Sequence, residues 1–287
     1  MLESRSQTSS CKIIGQEIHR AAHSDRVGGE PGSCRTDGYN TNNVLFTDPW
    51  EQGITGGAGL WRGLHDGGIL RRVTSPVRHG RYAAEVIVRP GDKYKNIAQE
   101  RTEVLHPQAI RDGHIITTQE GETQYIAFSV KIPKDWEKPI HYVILWQIHA
   151  PGNVKRSPIE LHVTDRFFVR TNHYVPYTPD GRRIGHRFDF ADGRLNRGDW
   201  TDLVIKLTTG TSNNGGITIW RRNEDDASFQ EVVDQSGLNL HPGYHKHGMY
   251  RGADPVRTYK VWLDGFTIAT TFEDAVRAAF GDCAKVD

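Results

Sequence analysis

The sequence predicts an all-β protein, an antiparallel two-sheet β-sandwich of jelly-roll type with a concave cleft and minor helices. Three observations predict it. From residue 43 onward the chain is a succession of short β-prone runs, turn chemistry separates them, and only one convincing helix follows.

Taken in order, residues 1–40 read as an N-terminal extension. In it Ile13, Ile14, Ile18 and Ala21 line one face of a short predicted helix, which Gly28-Gly29-Glu30-Pro31-Gly32-Ser33 ends. Residues 41–287 read as a single domain, since no repeat or low-complexity linker divides them and sandwiches of this length fold as one. Strands are predicted near 43–47, 69–75, 80–89, 97–105, 123–132, 141–149, 158–164, 166–173, 201–208, 216–221, 228–233, 244–250, 257–263 and 265–270. Period-two alternation is clear in Tyr125-Ile126-Ala127-Phe128-Ser129-Val130-Lys131-Ile132 and again from Asp202 to Leu207. Turns are expected at Arg89-Pro90-Gly91-Asp92, Pro151-Gly152-Asn153, Pro179-Asp180-Gly181, Asn213-Asn214-Gly215-Gly216 and Leu263-Asp264-Gly265. The helix runs from Thr271 to Phe280, with Thr271 able to cap it and Glu273 and Asp274 suited to its first turn.

Bulk properties narrow the class of function. A net charge of +1 over 287 residues gives no reason to invoke a nucleic-acid or membrane partner. No apolar run approaches the ~18 residues of a transmembrane helix. Met1-Leu2-Glu3-Ser4-Arg5-Ser6 has no apolar run of a signal peptide, which leaves a cytosolic protein or the mature part of a secreted one. Cys11, Cys34 and Cys283 are too dispersed for a metal site; a Cys11–Cys34 disulfide and unpaired thiols both stay open.

The chemistry concentrates in three stretches. In His141-Tyr142-Val143-Ile144-Leu145-Trp146-Gln147-Ile148-His149, strict alternation puts Val143, Leu145, Gln147 and His149 on one face and Trp146 on the other, in the interior. Two aliphatics followed by an amide and an imidazole describe a strand that leaves a core and enters a cleft. Arg101 and Glu103 share a face in a second stretch, as do Tyr244, Lys246, Gly248 and Tyr250 in a third. Were the three strands neighbours, one surface would carry a guanidinium, a carboxylate, an amide, an imidazole, an ammonium and two phenols. Residues 153–187 add Lys155, Arg156, Arg166, Arg170, Arg182, Arg183 and Arg187 against Glu160, Asp165 and Asp180, an excess of four positive charges that attracts polyanions.

Such a surface suits removal of a carbon-bound proton from an acidic sugar. In a polymer of uronic acids the C5 hydrogen lies α to the carboxylate and the O4 linkage lies β to it. Abstracting that hydrogen and expelling O4 cleaves the chain without water, provided that donors neutralise the carboxylate while enolate-like charge develops. Gln147 and Arg101 suit that task, His149 can assist or act as base, and Tyr250 is the natural acid. Cationic neighbours such as Lys246 or Arg101 are expected to lower the Tyr250 pKa from about 10 for basic work. Glucuronate and mannuronate, with C5–H and O4 on one ring face, let a single tyrosine take and return the proton; guluronate and iduronate need His149 as base and Tyr250 as acid. Glu103 is read as a support that orients Arg101. Taken singly, each residue also fits a structural role: a strand-edge amide, a strand-end histidine, a surface ion pair, a sheet tyrosine.

Arg101-Thr102-Glu103, Gln147-Ile148-His149 and Lys246-His247-Gly248-Met249-Tyr250 resemble the signature strands of the alginate-lyase-like β-jelly-roll polysaccharide lyases, R-[TS]-E, Q-[IV]-H and Y-F-K-x-G-x-Y in this order. The stretch from about 43 to 270 is also similar to the glucuronan-lyase and heparin-lyase-I-like group, with Gly198-Asp199-Trp200-Thr201-Asp202-Leu203 matching one of its late strands. The resemblance implies a lyase that needs no cofactor, with Tyr250, His149, Gln147 and Arg101 as catalytic set. Lys246, Glu103, Tyr244, Arg166, Arg170 and Asn172 are expected to contact the substrate. It further implies an anionic polysaccharide partner, a monomer, secreted or periplasmic location, and in the glucuronan-lyase group a bound structural calcium, here near Asp264. The chain departs from the alginate-lyase pattern at Leu105, where a second arginine is usual, and at His245, where phenylalanine is usual; both weigh against alginate more than against a lyase. A carbohydrate-binding module on the same sandwich is the alternative, and a jelly-roll glycoside hydrolase a weaker one. The latter needs two nearby carboxylates, whereas no E-x-D-x-[DE] run occurs and Glu100 and Glu103 fall on opposite faces.

Overall fold

The computed structural model describes residues 43–281 apart from 49, 52–61, 65–66, 96–97, 106–117, 151–156, 173–184, 192 and 194. All of them belong to one unit, Thr36–Asp287. The N-terminal extension with its short helix, the three cysteines, Trp61, His106, His114 and much of the basic stretch (Lys155, Arg156, His173, Tyr174, Tyr177, Asp180, Arg182, Arg183) lie outside the described residues.

Fifteen strands are described: β1 (Val44–Asp48), β2 (Arg62–Leu64), β3 (Ile69–Val73), β4 (Ala83–Val88), β5 (Glu100–Leu105), β6 (Thr123–Lys131), β7 (Val143–His149), β8 (Ile159–Val163), β9 (Phe167–Asn172), β10 (Gly185–Asp189), β11 (Trp200–Thr208), β12 (Gly210–Asn223), β13 (Gln230–Leu240), β14 (Tyr244–Arg251) and β15 (Tyr259–Ala269). Helix α1 (Phe272–Phe280) follows. One antiparallel sheet has the order β13-β12-β11-β6-β15-β4-β3, with β1 also pairing β15; the other runs β10-β9-β8-β7-β14-β5-β2. The predicted sandwich is what forms.

The core lies between the sheets, where alternate residues of each strand converge. Phe128, Val130, Leu203, Ile205, Val261 and Leu263 from the larger sheet join Trp146, Ile148, Leu161, Val163, Val169 and Met249 from the smaller. Each such side chain contributes about 1.5–3 kcal/mol on burial, so the core outweighs the loop ion pairs many times over. The outer face of the larger sheet is covered by α1, whose Phe272, Val276 and Phe280 pack with Ala127, Val204 and Phe229. The helix begins as expected: Thr271 Oγ1 accepts from the Asp274 backbone N–H, and Gly281 ends it in the left-handed region at φ 69°. The smaller sheet has no such helix among the described residues, and its outer face carries the polar side chains of β5, β7 and β14.

Two expected turns are strand irregularities instead. Leu263-Asp264-Gly265 does not reverse the chain; β15 runs through it with a bulge between Asp264 and Thr267, and Gly265 takes φ 65° there. Asn213-Asn214-Gly215-Gly216 likewise lies inside β12, where pairing with β13 shifts register. A bulge consumes glycine and asparagine for the same reason a turn does, so the composition alone does not separate them.

Candidate active site

Strand order brings the three stretches together, since β7, β14 and β5 are consecutive neighbours. Register then sets which side chains meet. Gln147 pairs with Lys246 on one side and with Glu160 on the other; Glu160 pairs with Arg170, and Arg170 with Arg187. Tyr250 pairs with Arg101, Gly248 with Glu103, and Tyr244 with His149. Side chains of paired residues rise on the same face, so these rows define one surface.

The expected face of β7 needs correction. Val143 and Leu145 sit in the core beside Trp146 and Ile148, while Gln147 and His149 face outward. A bulge between Ile144 and Trp146 inserts one residue opposite β8 and inverts the alternation at that point. Trp146 is interior as expected, and its Nε1–H donates to His245 Nδ1 at 3.2 Å. His245 in turn reaches Gln124 Oε1 at 2.9 Å, so the departure from the motif at this position lies in the core, away from the cleft.

Gln147 is held at both ends of its amide. Its Nε2–H donates to Glu103 Oε1 at 2.5 Å, and Ser157 Oγ–H donates to its Oε1. A carboxylate can only accept, so this pattern fixes the amide orientation and leaves a second N–H for a ligand. Asn172 is placed one layer back: its Nδ2–H donates to the Ser157 carbonyl at 2.8 Å and so braces the hydroxyl that braces Gln147.

Glu103 supports more than Arg101. Its Oε2 lies 3.5 Å from Arg101 Nη1 while Oε1 holds Gln147, so one buried carboxylate orients both donors. The Arg101 guanidinium in turn lies 4.4 Å over the Tyr250 ring. Gln147 and Tyr250 therefore share one site through Glu103 and Arg101. Lys246 is buried beside them with no carboxylate within ion-pair distance among the described residues, and burial first, then Arg101, lowers its pKa against the pull of Glu103. Arg170 is half-buried and likewise unpaired among the described residues. Arg166 is placed differently: it occupies the β8–β9 turn with its guanidinium near Gly193, about four strand residues, roughly 13 Å, from Arg170.

Gly248 makes this geometry possible. Its φ is 134°, and a Cβ there would meet the Thr102 carbonyl oxygen at 2.4 Å and Glu103 Cα at 2.8 Å. Both obstacles are backbone. Gly248→Ala is expected to lower stability by about 1–3 kcal/mol, read as a reduced denaturant midpoint at unchanged slope; a wild-type midpoint would count against the close approach of β14 to β5.

His149 Nδ1 lies 3.0 Å from the Ala150 carbonyl. A carbonyl only accepts, so Nδ1 carries the hydrogen and Nε2 keeps its lone pair. Burial and then Lys246 lower the His149 pKa to about 4, so the ring is neutral at physiological pH and able to accept a proton. Tyr244 stacks obliquely on it, centroids 5.2 Å apart.

Tyr250 departs from expectation. Its pKa is raised, by burial and then by Tyr142, and Arg101 offsets only part of this. The cations therefore do not make Tyr250 a ready base; it stands protonated, as an acid. The sequence also conceals Tyr142, whose ring centroid is 5.8 Å from that of Tyr250. Beyond it, His162 bonds Glu160 Oε2 at 2.8 Å and stacks on Phe168 at 4.6 Å. Ser157, Glu160 and His162 belong to no motif, and only their strand register gives them away.

Removing the ammonium at Lys246 should restore basicity to His149. Lys246→Met is expected to move the acid limb of the kcat/KM profile up from about pH 4, since a lost neighbouring cation favours the charged imidazolium. An unmoved limb would detach His149 from that limb or Lys246 from His149.

Calcium near Asp264 meets a partial fit. Asp264 Oδ1 is buried without a hydrogen-bond partner, and burial, aided by Glu51, pushes its carboxyl up to about 7. Its Oδ2, however, already accepts from the Arg78 and His79 backbone N–H groups, and Glu51 Oε1 from those of Arg81 and Tyr82. Among the described residues no group of three His, Cys, Asp or Glu could hold a metal. One free oxygen is short of the six to eight that calcium takes. No helix among the described residues is long and apolar enough to cross a membrane.

Comparison with known proteins now adds to the geometry. A family model described as polysaccharide lyase matches residues 43–267. No curated protein matches. Among solved structures, the endo-β-1,4-glucuronan lyase from the fungus Trichoderma reesei superposes with TM-score 0.60 at 20% identity, covering 81% of this chain and 98% of that one. The catalytic domain of the glycoside hydrolase family 131 protein from Coprinopsis cinerea gives TM-score 0.50 at 11% identity, covering 76% and 88%. The PL-14 alginate lyase from Aplysia kurodai gives 0.48 at 13%, covering 70% and 87%. At these identities the structural likeness concerns the fold.

Proposed function

We propose, for a chain that belongs to the polysaccharide lyase family and is a polysaccharide lyase, that its substrate is a uronic-acid polymer of glucuronan or alginate type, cleaved by β-elimination to leave unsaturated uronate ends. The observation that carries this reading is the Gln147–Glu103–Arg101–Tyr250 assembly beside Lys246, which has no carboxylate within ion-pair distance among the described residues. Gln147 N–H, Arg101 and Lys246 receive the carboxylate at the C5 carbon and stabilise the charge that develops as the proton leaves. His149 Nε2 takes the C5 proton; Tyr250 gives its proton to O4 as the C4–O4 bond breaks and the C4=C5 double bond forms. On rings with C5–H and O4 on one face, Tyr250 would serve both roles only from its phenolate, the form that its raised pKa disfavours at rest. His149→Ala separates the two modes: loss confined to opposite-face sugars assigns His149 as their base, and equal loss on all sugars gives it a general role.

Hydrolysis is disfavoured by the same surface. The carboxylates described beside Gln147, Glu103 on β5 and Glu160 on β8, stand three strands apart, roughly 14 Å between Cα atoms. The pairs that hydrolyse glycosides stand about 5–9.5 Å apart, and each carboxylate here is already engaged, one by Gln147 and one by His162.

Incubation with glucuronan, alginate, heparin and hyaluronan tests the reading, with ultraviolet absorbance from unsaturated uronate as readout. Absorbance on glucuronan or alginate is expected. Reducing ends without absorbance would mean hydrolysis; binding with neither signal would mean a carbohydrate-binding module. Secretion and a monomeric state accompany this reading. No cofactor enters this reading, and Asp264, with one free oxygen, is short of a calcium site among the described residues: chelation is expected to leave both Tm and kcat unchanged. A Tm or kcat that falls with chelation would reverse that assignment.

A further inference from the structure

We infer that Glu160 is a specificity-determining residue, which accepts a hydroxyl of the sugar next to the cleaved uronate and disfavours a carboxylate there. The inference rests on the uronate-lyase reading above and carries it from the cleaved sugar to its neighbour. Register supplies the frame. Lys246, Gln147, Glu160, Arg170 and Arg187 form one row across β14, β7, β8, β9 and β10. With strands ~4.8 Å apart, Arg170 stands roughly 10 Å from Gln147, of the order of a disaccharide. A polymer laid across the strands therefore meets an ammonium and an amide, then a carboxylate, then a guanidinium.

Glu160 is aimed by His162 and not by its register partner Arg170. His162 Nε2 lies 2.8 Å from Glu160 Oε2, and a carboxylate only accepts, so this nitrogen carries the hydrogen. The other ring nitrogen, Nδ1, is buried without a partner, which leaves Glu160 as the polar contact that holds the imidazole among the described residues. The ring is clamped as well. It stacks on Phe168 with centroids 4.6 Å apart and planes 14° apart, and Tyr142 meets it at 6.1 Å. Arg187 in turn lies 3.8 Å over the Phe168 ring. His162 is 2% exposed, whereas the Glu160 side chain is 14% exposed, so the fixed carboxylate reaches the cleft surface. Its Oε1 accepts no hydrogen bond from the described residues. The Glu160 charge is felt by both His149 and Tyr142, which places it on the catalytic face.

A carboxylate held in this way accepts from hydroxyls and repels anions. Neither property assists the elimination, whose donors are Gln147, Arg101 and Lys246 and whose proton acceptor is His149. Glu160 weakens the grip on a polyanion as a whole, and its effect is on which sugar edge lies beside the cleaved uronate. One strand further on, Arg170 has no carboxylate within ion-pair distance among the described residues and offers a second anion position. The row thus matches a polymer whose carboxylates meet the sheet at every second sugar.

The probe is whichever of glucuronan and alginate gives ultraviolet absorbance, with part of its carboxyl groups chemically reduced to primary alcohols. Wild-type products are sequenced by mass spectrometry, and the sugars on either side of the cleaved uronate are counted against the composition of the probe. At one of these two positions the neutral sugar is expected to be enriched roughly two- to fivefold, the scale of a charge contact that solvent still reaches. Added salt should reduce that enrichment. Glu160→Gln keeps an acceptor for His162 and sets an N–H donor in place of Oε1, so the enrichment should vanish or turn toward uronate. His162→Phe, which keeps the stack on Phe168 and releases Glu160, should weaken the same preference. Absence of enrichment at both positions in wild type overturns the inference whatever the variants do, and so does enrichment that Glu160→Gln leaves intact. If neither unmodified polymer gives absorbance, the uronate reading fails and this inference with it; absorbance without a neighbour preference overturns this inference alone.

Discussion

Tyr250→Phe is expected to lower kcat by about 10²–10⁴-fold, the usual contribution of a positioned acid, while polymer binding stays close to wild type. The phenol hydroxyl is the group lost; the ring and its contact with the Arg101 guanidinium at 4.4 Å remain. Retention of that contact matters because Arg101 also holds Glu103, and Glu103 holds Gln147. The carboxylate-receiving half of the site therefore survives the substitution, which is why affinity should persist when turnover does not. The raised pKa of Tyr250 sharpens the expectation: at neutral pH wild type presents a full complement of protonated phenol, so there is no dilution of the acid form to mask the loss. Isothermal titration or electrophoretic retardation with the polymer, set beside the absorbance assay, separates the two quantities. Wild-type-like rates would remove Tyr250 from the mechanism.

Much of this arrangement is legible in the sequence, and the failures share one cause. Alternation in β6 and β11, the capped helix after Thr271, and the convergence of Arg101, Gln147 and Tyr250 follow from period and residue type, because core strands read cleanly when every second residue is apolar. The face of β7 does not. The bulge between Ile144 and Trp146 means that Tyr142 and Ile144 before it, and Gln147 and His149 after it, can all serve the same surface. Strict alternation assigns Tyr142 to the side of Trp146 and Val143 to the side of Gln147, wrong in both cases. No residue type at Leu145 announces the extra position. The Tyr250 pKa failed for a different reason: cations can be counted in a sequence, but burial cannot, and burial outweighs Arg101. Glu160 and His162 are invisible for a third, since only the pairing of β7 with β8 puts Glu160 beside Gln147.

Gln147→Ala is expected to cost about 10²–10³ in kcat, the scale for removing one donor aimed at developing negative charge. The loss has two parts. The N–H that faces the carboxylate disappears, and Glu103 Oε1 and the Ser157 hydroxyl lose the partner that bridged them, so the carboxylate that orients Arg101 is itself less firmly held. Gln147→Glu distinguishes the two. It preserves the shape but sets a carboxyl against Glu103 where the amide stood at 2.5 Å. Two carboxylates this close cannot both ionise, so the pair retains a proton to well above the ordinary carboxylate range. While that proton is present the pair keeps the single negative charge it has in wild type; once it leaves, the site repels a uronate. Activity of Gln147→Glu should therefore rise as pH falls toward the acid limb set by His149, over a range where wild type is flat, whereas Gln147→Ala should stay low throughout. If Gln147→Ala instead raises KM at unchanged kcat, the amide binds substrate and transition state alike, and the carboxylate must be neutralised by Arg101 and Lys246 without it.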